Sequence, residues 1–479
     1  MTLSRILDGV NPIKNTVINN RTITGITCDS RQVSPGCIFV CQKGLKFDGH
    51  DHAKEAIENG AAVIVCQKEL DVPNQIVVSD TRYVYGVMCQ NFFDNPAKKL
   101  RLVGITGTNG KTTTTNIIKH ILTECGNKVG LMGTIQNEID DVVLPAKHTT
   151  PDAYALASMQ DKMVRAGCNY AVMEVSSHAL DQHRLASCFF KAGAFTNLTQ
   201  DHLEYHNTMQ NYFEAKKKLF NISENKIINL DDDHGKKIIE ELGEKAITFS
   251  MKDKNADFFA DNIEIKADGS HFDLIAKGQK YKIDFCMPGY FSVANALTAA
   301  ATCESLGIDL AKIAHALKTC EGVTGRTEVI KANTEFSIIR DYAHTPDGLL
   351  KIISSVREFA DDNRIVVLFG CAGNRDRTKR KVMAEIVSRL SDFCILTSDN
   401  PRDEDVLRII DDAKDGLLEH DTPYKIIPDR FEAIKWALEN CKKGDILILA
   451  GKGHEDYQVL DYGTIYFDEK EIVQRLTGY

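Results

Sequence analysis

The sequence predicts an α/β protein of three domains, built on sheets of mainly parallel strands. The first observation is length, because 479 residues at about 150 per domain correspond to roughly three domains. The second is the alternation of short apolar runs with helical periods, which is typical of strands joined by right-handed crossovers. The third is a Gly-rich turn directly after the apolar run 100–106, in the position where a strand leads into a helix.

The first domain is expected to span residues 1–98. Its end is indicated by the polar, Pro-containing segment 95–99, which is typical of a boundary. Apolar runs in this part predict strands, and amphipathic runs predict helices. The predicted strands are 22–28, 37–41, 61–66 and 75–78, and the predicted helices are 52–59 and 83–93.

The second domain is expected to span residues 99–322 and the third residues 323–479. The central part opens with the strand 100–106 and the helix 112–125, continues with three buried parallel strands, and ends with β-hairpins over 256–280 and an Ala-rich helix over 291–305. The three central strands are 170–175, 192–196 and 226–229, and the strands of the third domain are 337–341, 365–370, 394–398 and 445–450.

Composition narrows the class of protein. Apolar residues make up 43% and charged residues 26%, which is the balance of a globular protein. The net charge of −9 argues against nucleic-acid binding, because an acidic surface repels phosphates. No run is apolar enough for a membrane span, and Arg5 and Asp8 interrupt any signal peptide, so a cytoplasmic protein without a membrane partner is expected. The fourteen cysteines are then expected to be buried free thiols.

The Gly-rich turn predicts a phosphate-binding loop. Its glycines allow backbone N–H groups to face phosphate oxygens, and the following helix contributes positive charge at its N-terminus. Lys111 is expected to reach the β- and γ-phosphates of ATP, and the Thr112 hydroxyl to bind Mg²⁺. Ile105 stands where the common motif has glycine, so the loop is of a variant type. The predicted ATP-binding residues here are Gly107, Thr108, Asn109, Gly110, Lys111, Thr112 and Thr113.

Two polar segments follow central strands, at the sheet edge where α/β proteins bind ligands. Glu174 could bind Mg²⁺, since that ion prefers oxygen ligands, or it could cap a helix. His202 and His206 are one helical turn apart and could bind zinc, but hydrogen-bonded structural histidines explain them equally well. Lys216 opens a run of three lysines, a pattern that more often marks a solvated helix face.

Further candidates lie toward the C-terminus. Asn295 could hydrogen-bond adenine or simply pack inside its helix. Arg326 suits a clamp on the γ-phosphate and Asp341 could accept from ribose hydroxyls, with ATP held between domains that close around it. Three loops after strands resemble the sides of one pocket for a zwitterionic amino acid; their candidate residues are Arg375, Asp399, Asn400, Pro401, Arg402, Gly451 and Glu455.

Together these motifs resemble the Mur ligase family of bacterial peptidoglycan synthesis, and the resemblance covers the whole chain. Ser292 departs from the family's adenine motif, where asparagine is expected. The motifs that carry the resemblance are Asp29-Ser-Arg31, the segment 106–113, Glu174-Val-Ser-Ser-His178, Asp201-His202, Lys216, Asn295, Asp341-Tyr-Ala-His344, Asp399-Asn-Pro-Arg402 and the segment 451–455.

The resemblance implies an N-terminal UDP-binding domain, a central P-loop-type ATPase domain and a C-terminal Rossmann-like domain. It implies an ATP-dependent ligase that adds meso-diaminopimelate to UDP-N-acetylmuramoyl-L-alanyl-D-glutamate through an acyl phosphate, and that acts as a monomer. Lys216 matches the carbamylated lysine of the family, which with Thr112, Glu174 and His202 would hold Mg²⁺. The residues implied for the UDP-sugar peptide are Ser30, Thr149, Thr150, Ser176, Gln182 and Arg184.

Other functions remain open at this point. A lysine-adding ligase of the same family would use a similar amino acid, but it would not be expected to place an arginine at position 402, whose fork suits the extra carboxylate of diaminopimelate. Arg402 could instead pair with Asp403 or Glu404 on the surface. A folylpolyglutamate synthetase-like ligase is disfavoured by Asp29-Ser-Arg31, and a P-loop protein that only switches with nucleotide is the remaining class.

Overall fold

The computed structural model describes residues 1–17, 21–44, 47–242, 246–266 and 268–479. The chain divides into two compact units. The first contains residues 1–257 and 298–310, and the second contains residues 258–297 and 311–479. Helices and parallel-rich sheets fill both units, so the predicted α/β class is confirmed.

The N-terminal part of the first unit is a five-stranded sheet with the order β1-β5-β4-β3-β2. All its pairs are parallel except that of β1 with β5. Short 3₁₀ helices occupy Ser30–Gln32, Gly49–His52 and Pro96–Lys99. The strands are β1 (Lys14–Asn15), β2 (Ile26–Thr27), β3 (Ile38–Val40), β4 (Val63–Cys66) and β5 (Gln75–Val77), and the helices are α1 (Leu3–Ile6), α2 (Ala53–Glu58) and α3 (Thr81–Phe92).

The predicted strand 22–28 is wrong in extent, because only Ile26 and Thr27 pair with β3. Thr22 instead forms an isolated antiparallel bridge with Thr2. The remaining predicted strands of this sheet differ from the observed ones by one or two residues.

The rest of the first unit contains a mixed sheet with the order β13-β12-β11-β6-β10-β7-β8-β9. The predicted parallel strands are confirmed, while the antiparallel edge β8–β9 was not anticipated. The strands are β6 (Arg101–Thr106), β7 (Val129–Met132), β8 (Gln136–Ile139), β9 (Val142–Pro145), β10 (Tyr170–Glu174), β11 (Phe190–Phe195), β12 (Ser223–Asn229) and β13 (Ile247–Ser250). The helices are α4 (Lys111–Glu124), α5 (Ala153–Arg165), α6 (Ser177–Asp181), α7 (Leu203–His206), α8 (Met209–Asn221) and α9 (Asp233–Leu242).

The second unit holds the antiparallel strands β14–β16, as the predicted hairpins require, and a six-stranded sheet with the order β17-β18-β22-β19-β20-β21. Only β17 is antiparallel in that sheet. The strands are β14 (Phe258–Lys266), β15 (Gly269–Ala276), β16 (Gln279–Phe285), β17 (Glu328–Val329), β18 (Ser337–Asp341), β19 (Ile365–Cys371), β20 (Phe393–Ser398), β21 (Tyr424–Ile426), β22 (Ile446–Ala450), β23 (Tyr457–Leu460) and β24 (Gly463–Tyr466).

Helices cover this sheet on both faces and bury two apolar layers, one around Ile353 and Phe369 and one around Leu368 and Ile434. Helix α10 (Tyr290–Ser305) precedes them and, as predicted, is rich in alanine; the others are α11 (Leu310–Thr319), α12 (Pro346–Arg357), α13 (Thr378–Leu390), α14 (Val406–Leu417), α15 (Arg430–Asn440) and α16 (Glu469–Thr477). Most cysteines of the chain are buried, as predicted. Within the described residues, no helix has the length and apolarity that crossing a bilayer requires.

Candidate active site

The Gly-rich turn joins β6 to α4, as predicted. Gly107 has φ +149°, and a Cβ atom there would lie 1.9 Å from the Thr196 hydroxyl oxygen, so only glycine fits. Gly110 has φ +84° and directly precedes the first helical residue, Lys111. The Lys111 ammonium donates to the carbonyls of Gly107 and Thr108 at 2.9 and 2.8 Å. The ammonium therefore lies over the loop that is predicted to hold phosphates.

The segment that follows β11 holds this loop in place through hydrogen bonds. The Asn197 side chain accepts from the Asn109 backbone N–H at 3.0 Å, and the Thr196 hydroxyl donates to the Asn109 carbonyl at 2.6 Å. Thr108 accepts from the Thr199 N–H at 3.0 Å. These contacts fix the conformation of the loop before any ligand binds, which reduces the entropy cost of binding.

Lys216 lies beside the loop and is buried, with 1% of its surface exposed, whereas the sequence pattern alone favoured a solvated face. Its ammonium donates to the Gly107 carbonyl at 2.7 Å and lies 4.5 Å from the centre of the Tyr212 ring. Burial, together with the nearby Lys111, holds the pKa of Lys216 well below its usual range. The next two lysines fit the surface interpretation, because they form ion pairs with Glu214, Glu241 and Asp181.

Glu174 ends β10, opposite Ile105 in the register with β6, and is buried. Thr134 donates to both carboxylate oxygens, with its N–H at 2.8 Å and its hydroxyl at 3.0 Å. The Thr134 oxygen also lies 3.0 Å from the Thr149 hydroxyl. Glu174 therefore accepts from a loop on the neighbouring strand β7, and no helix cap is formed.

The histidines lie together after β10 and β11. The rings of His178 and His202 are 5.0 Å apart, and those of His178 and His206 are 5.4 Å apart. His206 is buried and shares a 2.9 Å hydrogen bond with the Ser177 hydroxyl, as the structural interpretation expects. Burial lowers the pKa of His178 to about 4, and the two neighbouring histidines add to this effect. Among the described residues, no three His, Cys, Asp or Glu side chains form a metal cluster.

A cavity of about 1260 Å³ opens in the first unit. It is lined by three of the residues predicted to bind the nucleotide-sugar peptide, namely Ser30, Gln182 and Arg184. Its lining carries both charges. Three of its basic side chains, Arg31, His52 and Lys218, are paired with the carboxylates of Asp29, Glu55 and Asp181. The other basic side chains of the lining are Lys43, Arg82 and Arg184, and its other carboxylates are Asp152, Glu204 and Glu214.

The other residues predicted for this substrate, Thr149, Thr150 and Ser176, do not line the cavity, and Thr150 connects to it through Arg184. Arg184 donates to the Thr150 carbonyl at 2.8 Å. The Thr150 hydroxyl donates to the Glu174 carbonyl at 2.8 Å and accepts from the Ser176 N–H at 3.0 Å. The segment 149–150 is thus held between the cavity wall and Glu174.

In the second unit, Arg326 and Asp341 lie at the edge of the six-stranded sheet. The Asp341 carboxylate accepts from the N–H groups of Thr327 and Ala343 at 2.7 and 2.9 Å, and burial raises its pKa. The Arg326 guanidinium lies 5.0 Å from the centre of the Tyr342 ring, and its Nε is buried without a hydrogen-bond partner. Asn295 lies on α10 and is buried. The structure thus places three predicted ATP contacts in this unit and the phosphate loop in the other.

The predicted amino-acid loops follow β19, β20 and β22, whose carboxyl ends meet at one edge of this sheet. Asn400 donates to the Glu455 carboxylate at 2.9 Å, and Lys452 donates to the Asn400 side chain at 3.1 Å. One carboxylate oxygen of Asp399 is buried without a partner and faces Gly451, where a Cβ would lie 2.7 Å from it. A buried oxygen without a donor fits a ligand that brings an ammonium group.

Arg402 does not pair with Asp403 or Glu404. It adopts φ +55° and donates to the Gly373 carbonyl at 2.7 Å, while Glu404 pairs with Arg380. Arg375 is exposed on the neighbouring loop, and Pro401 directly precedes Arg402 and is buried. The structure therefore brings both predicted carboxylate-binding arginines to loops that touch each other.

Two buried cations that sequence reasoning missed support these loops. Arg430 is fully buried with Glu469 and donates to the Ser398 and Ala450 carbonyls at 3.0 and 2.8 Å, at the ends of β20 and β22. Lys452 is buried as well, and burial lowers its pKa. Arg430 carries no motif signal in the sequence, but Lys452 lies between two glycines after a buried strand, which could have suggested a structural role.

Comparisons with known proteins agree with this geometry. Three family models match successive parts of the chain: "Mur ligase family, catalytic domain" over residues 22–97, "Mur ligase middle domain" over 105–303 and "Mur ligase, glutamate ligase domain" over 325–453. The predicted three-domain architecture is thereby confirmed.

Similar proteins of known name match over nearly the whole chain. UDP-N-acetylmuramoyl-L-alanyl-D-glutamate--2,6-diaminopimelate ligase 1 of Clostridium acetobutylicum is 45% identical, over 95% of this chain and 94% of its own. The corresponding ligase of Clostridium botulinum is 44% identical, over 96% of both chains. A solved structure of a ligase with the same name matches with a TM-score of 0.76 at 33% identity, over 100% of this chain and 99% of its own. Motifs, fold and relatives agree, and the chain belongs to the Mur ligase family.

Proposed function

We propose that this chain is the ATP-dependent ligase that joins meso-diaminopimelate to UDP-N-acetylmuramoyl-L-alanyl-D-glutamate. The observation that carries the proposal is the phosphate loop, where Lys111 and the buried Lys216 both contact the Gly107 carbonyl. Relatives that are 44–45% identical bear the name of this activity. ATP dependence is common to the family, and it agrees with the conformation of the loop.

The reaction proceeds in two steps. A D-glutamyl carboxylate oxygen attacks the γ-phosphorus of ATP, ADP leaves, and an acyl phosphate forms. The amine of diaminopimelate then attacks the acyl carbon, loses a proton, and inorganic phosphate leaves as the amide forms. Lys111 offsets the negative charge that develops on the transferred group, and the resemblance to the family gives Arg326 the same role. Exclusion of water at this stage would protect the acyl phosphate from hydrolysis.

The residues beside the loop fit Mg²⁺. Thr112 offers a hydroxyl oxygen and Glu174 a carboxylate, which are ligands of the kind Mg²⁺ prefers, and His202 offers an imidazole. Lys216 fits only as a carbamate, because an ammonium repels the metal. Its burial favours the neutral amine, the form that adds to CO₂ with loss of a proton. When bound, Mg²⁺ would neutralise charge on the phosphates, while these side chains hold it in place.

Selection of the amino acid is assigned to the loops after β19, β20 and β22. Arg402, with Arg375 beside it, would bind the distal carboxylate of diaminopimelate, which lysine lacks. Asp399, Glu455 and the Gly451 carbonyl would accept from ammonium groups, and Asn400 and Pro401 shape the same loop. A lysine in this pocket would leave the arginines without a partner, which disfavours it.

The organisation of the protein is part of the proposal. Domain limits near residues 98/99 and 322/323 are supported by family matches that end at 97 and 303 and resume at 105 and 325. We further propose that the protein acts in the cytoplasm as a monomer and binds neither nucleic acid nor membranes. The net charge of −9 supports the absence of nucleic-acid binding, because an acidic surface repels phosphates.

The test is phosphate release with UDP-N-acetylmuramoyl-L-alanyl-D-glutamate, ATP and Mg²⁺ across a panel of amino acids. The expected result is release that depends on meso-diaminopimelate, with product of the corresponding mass. Release with L-lysine alone would make the chain the lysine-adding ligase. Release with a folate and glutamate would indicate the folylpolyglutamate class, and nucleotide binding without turnover in any mixture would refute ligation.

A further inference from the structure

The carboxylate of Glu174 depends on one neighbouring residue. It is 1% exposed, and a carboxylate this deeply buried needs hydrogen-bond donors to replace the water it has lost. Thr134 supplies two, its backbone N–H to one oxygen and its hydroxyl to the other. A Cβ atom at the preceding Gly133 would lie 2.6 Å from the carboxylate, so the backbone here passes against Glu174. Thr134 therefore fixes where the carboxylate points.

The same hydroxyl reaches a second site. It donates to the Glu174 carboxylate and also to the Thr149 hydroxyl oxygen, which lies 3.0 Å away, so the two acceptors share its proton. Three side chains are thus connected in order, from Thr149 through Thr134 to Glu174. The next residue, Thr150, ties the same segment to the Glu174 carbonyl at 2.8 Å.

We propose that Thr134 is a positioning residue that couples binding of the UDP-sugar peptide to binding of Mg²⁺ and nucleotide. The inference rests on the proposed function, in which Thr149 contacts the UDP-sugar peptide and Glu174 the metal. Each ligand orders one end of the connected side chains, so the second ligand binds to a site whose ordering cost is already met. The coupling is reciprocal, and each ligand tightens the other by the same factor.

A matched pair of variants tests the hydroxyl itself. Thr134→Val keeps the shape and the backbone N–H of residue 134 but removes the hydroxyl, while Thr134→Ser keeps the hydroxyl. Calorimetry measures the affinity for UDP-N-acetylmuramoyl-L-alanyl-D-glutamate with and without Mg²⁺ and a non-hydrolysable ATP analogue, and then the reverse. The wild type and Thr134→Ser should show mutual tightening. In Thr134→Val the factor by which each ligand tightens the other should be about tenfold smaller, the effect expected of one hydrogen bond to a charged group.

The outcomes separate this inference from the proposed function. If both ligands bind the wild type without tightening each other, or if Thr134→Val keeps the wild-type coupling, the inference is wrong and the proposed function stands. Equal loss in Thr134→Ser would also overturn it, because packing would then be the cause. If Thr134→Val does not fold by circular dichroism, Thr149→Val breaks the other hydrogen bond, and retained coupling there overturns the inference. Failure of either ligand to bind the wild type would overturn both.

Discussion

Replacing Lys216 by methionine removes a buried amine and leaves a side chain of similar length in its place. The structure allows the effect on stability to be worked out. One hydrogen bond to the Gly107 carbonyl is lost, worth about 1 kcal/mol, and the contact with the Tyr212 ring loses its charge. Lys111 still donates to the same carbonyl, so no buried acceptor is left without a donor.

The opposing term is the cost of burying the amine. Burial already holds the pKa of Lys216 well below its usual range, which shows that the site disfavours the charge. Methionine avoids this cost, and we therefore expect the free energy of unfolding to change by less than about 2 kcal/mol. Turnover should nevertheless fall by at least ~10²–10³, because the carbamate that would help hold Mg²⁺ can no longer form.

Urea denaturation and substrate-dependent phosphate release in the same buffer measure the two effects. Binding of the UDP-sugar peptide should persist. The smaller variant Lys216→Ala leaves space in which acetate or formate can replace the carbamate oxygens, so these anions should partly restore its activity. Lys216→Met is the matched control, since its side chain fills that space. Full activity of Lys216→Met, or a loss of more than about 3 kcal/mol in stability, would refute the reasoning.

Three further predictions follow from the loops. Lys111→Ala should lower kcat by ~10²–10³ or more in the phosphate-release assay, and near-wild-type turnover would place ATP elsewhere. Arg402→Ala should weaken the use of diaminopimelate by about 2–5 kcal/mol in kcat/KM and narrow its advantage over lysine, whereas an unchanged preference would show that Arg402 is not the selector. The hydrogen bonds from Arg380 lower the pKa of Glu404 from 4.5 to about 2, so this carboxylate stabilises the fold above pH 4.5 and the contribution is lost as pH falls through about 2. Urea midpoints over that range should fall less steeply in Glu404→Gln than in the wild type, and parallel curves would contradict the assignment.

The sequence predicts the parts of the molecule that depend on local patterns. Buried runs such as those of β10 and β11 are short and apolar, and polar residues follow them at the carboxyl edge. The turn before α4 combines glycines with a lysine at the start of a helix, which predicts a phosphate loop. The positions of these candidate residues along the sheets could therefore be predicted.

Features that depend on long-range pairing could not be predicted. Thr134 is an ordinary threonine after a short strand, and only the pairing of β7 with β10 brings it to Glu174. Lys216 looks like the two partly exposed lysines that follow it in the sequence, and the packing of α8 against the loop alone distinguishes it. The length of a strand is also hard to predict from the sequence, as the run 22–28 shows, because it depends on how much of the run pairs with the partner strand.

Arg430 has a consequence for redesigning the amino-acid preference of this ligase. The Arg430 guanidinium donates to the last carbonyls of β20 and β22. The side chains proposed to bind the amino acid lie on the loops that follow these strands. Scaffold and recognition are therefore separable in a mutant library. Positions 375 and 402 can be randomised to search for new substrates, whereas Arg430 and Glu469 should be kept fixed, because changing either leaves a buried charge alone and costs about 3–5 kcal/mol of stability. In such a library the side chains that contact the substrate vary, while the carboxyl ends of β20 and β22 stay in the same place in every member.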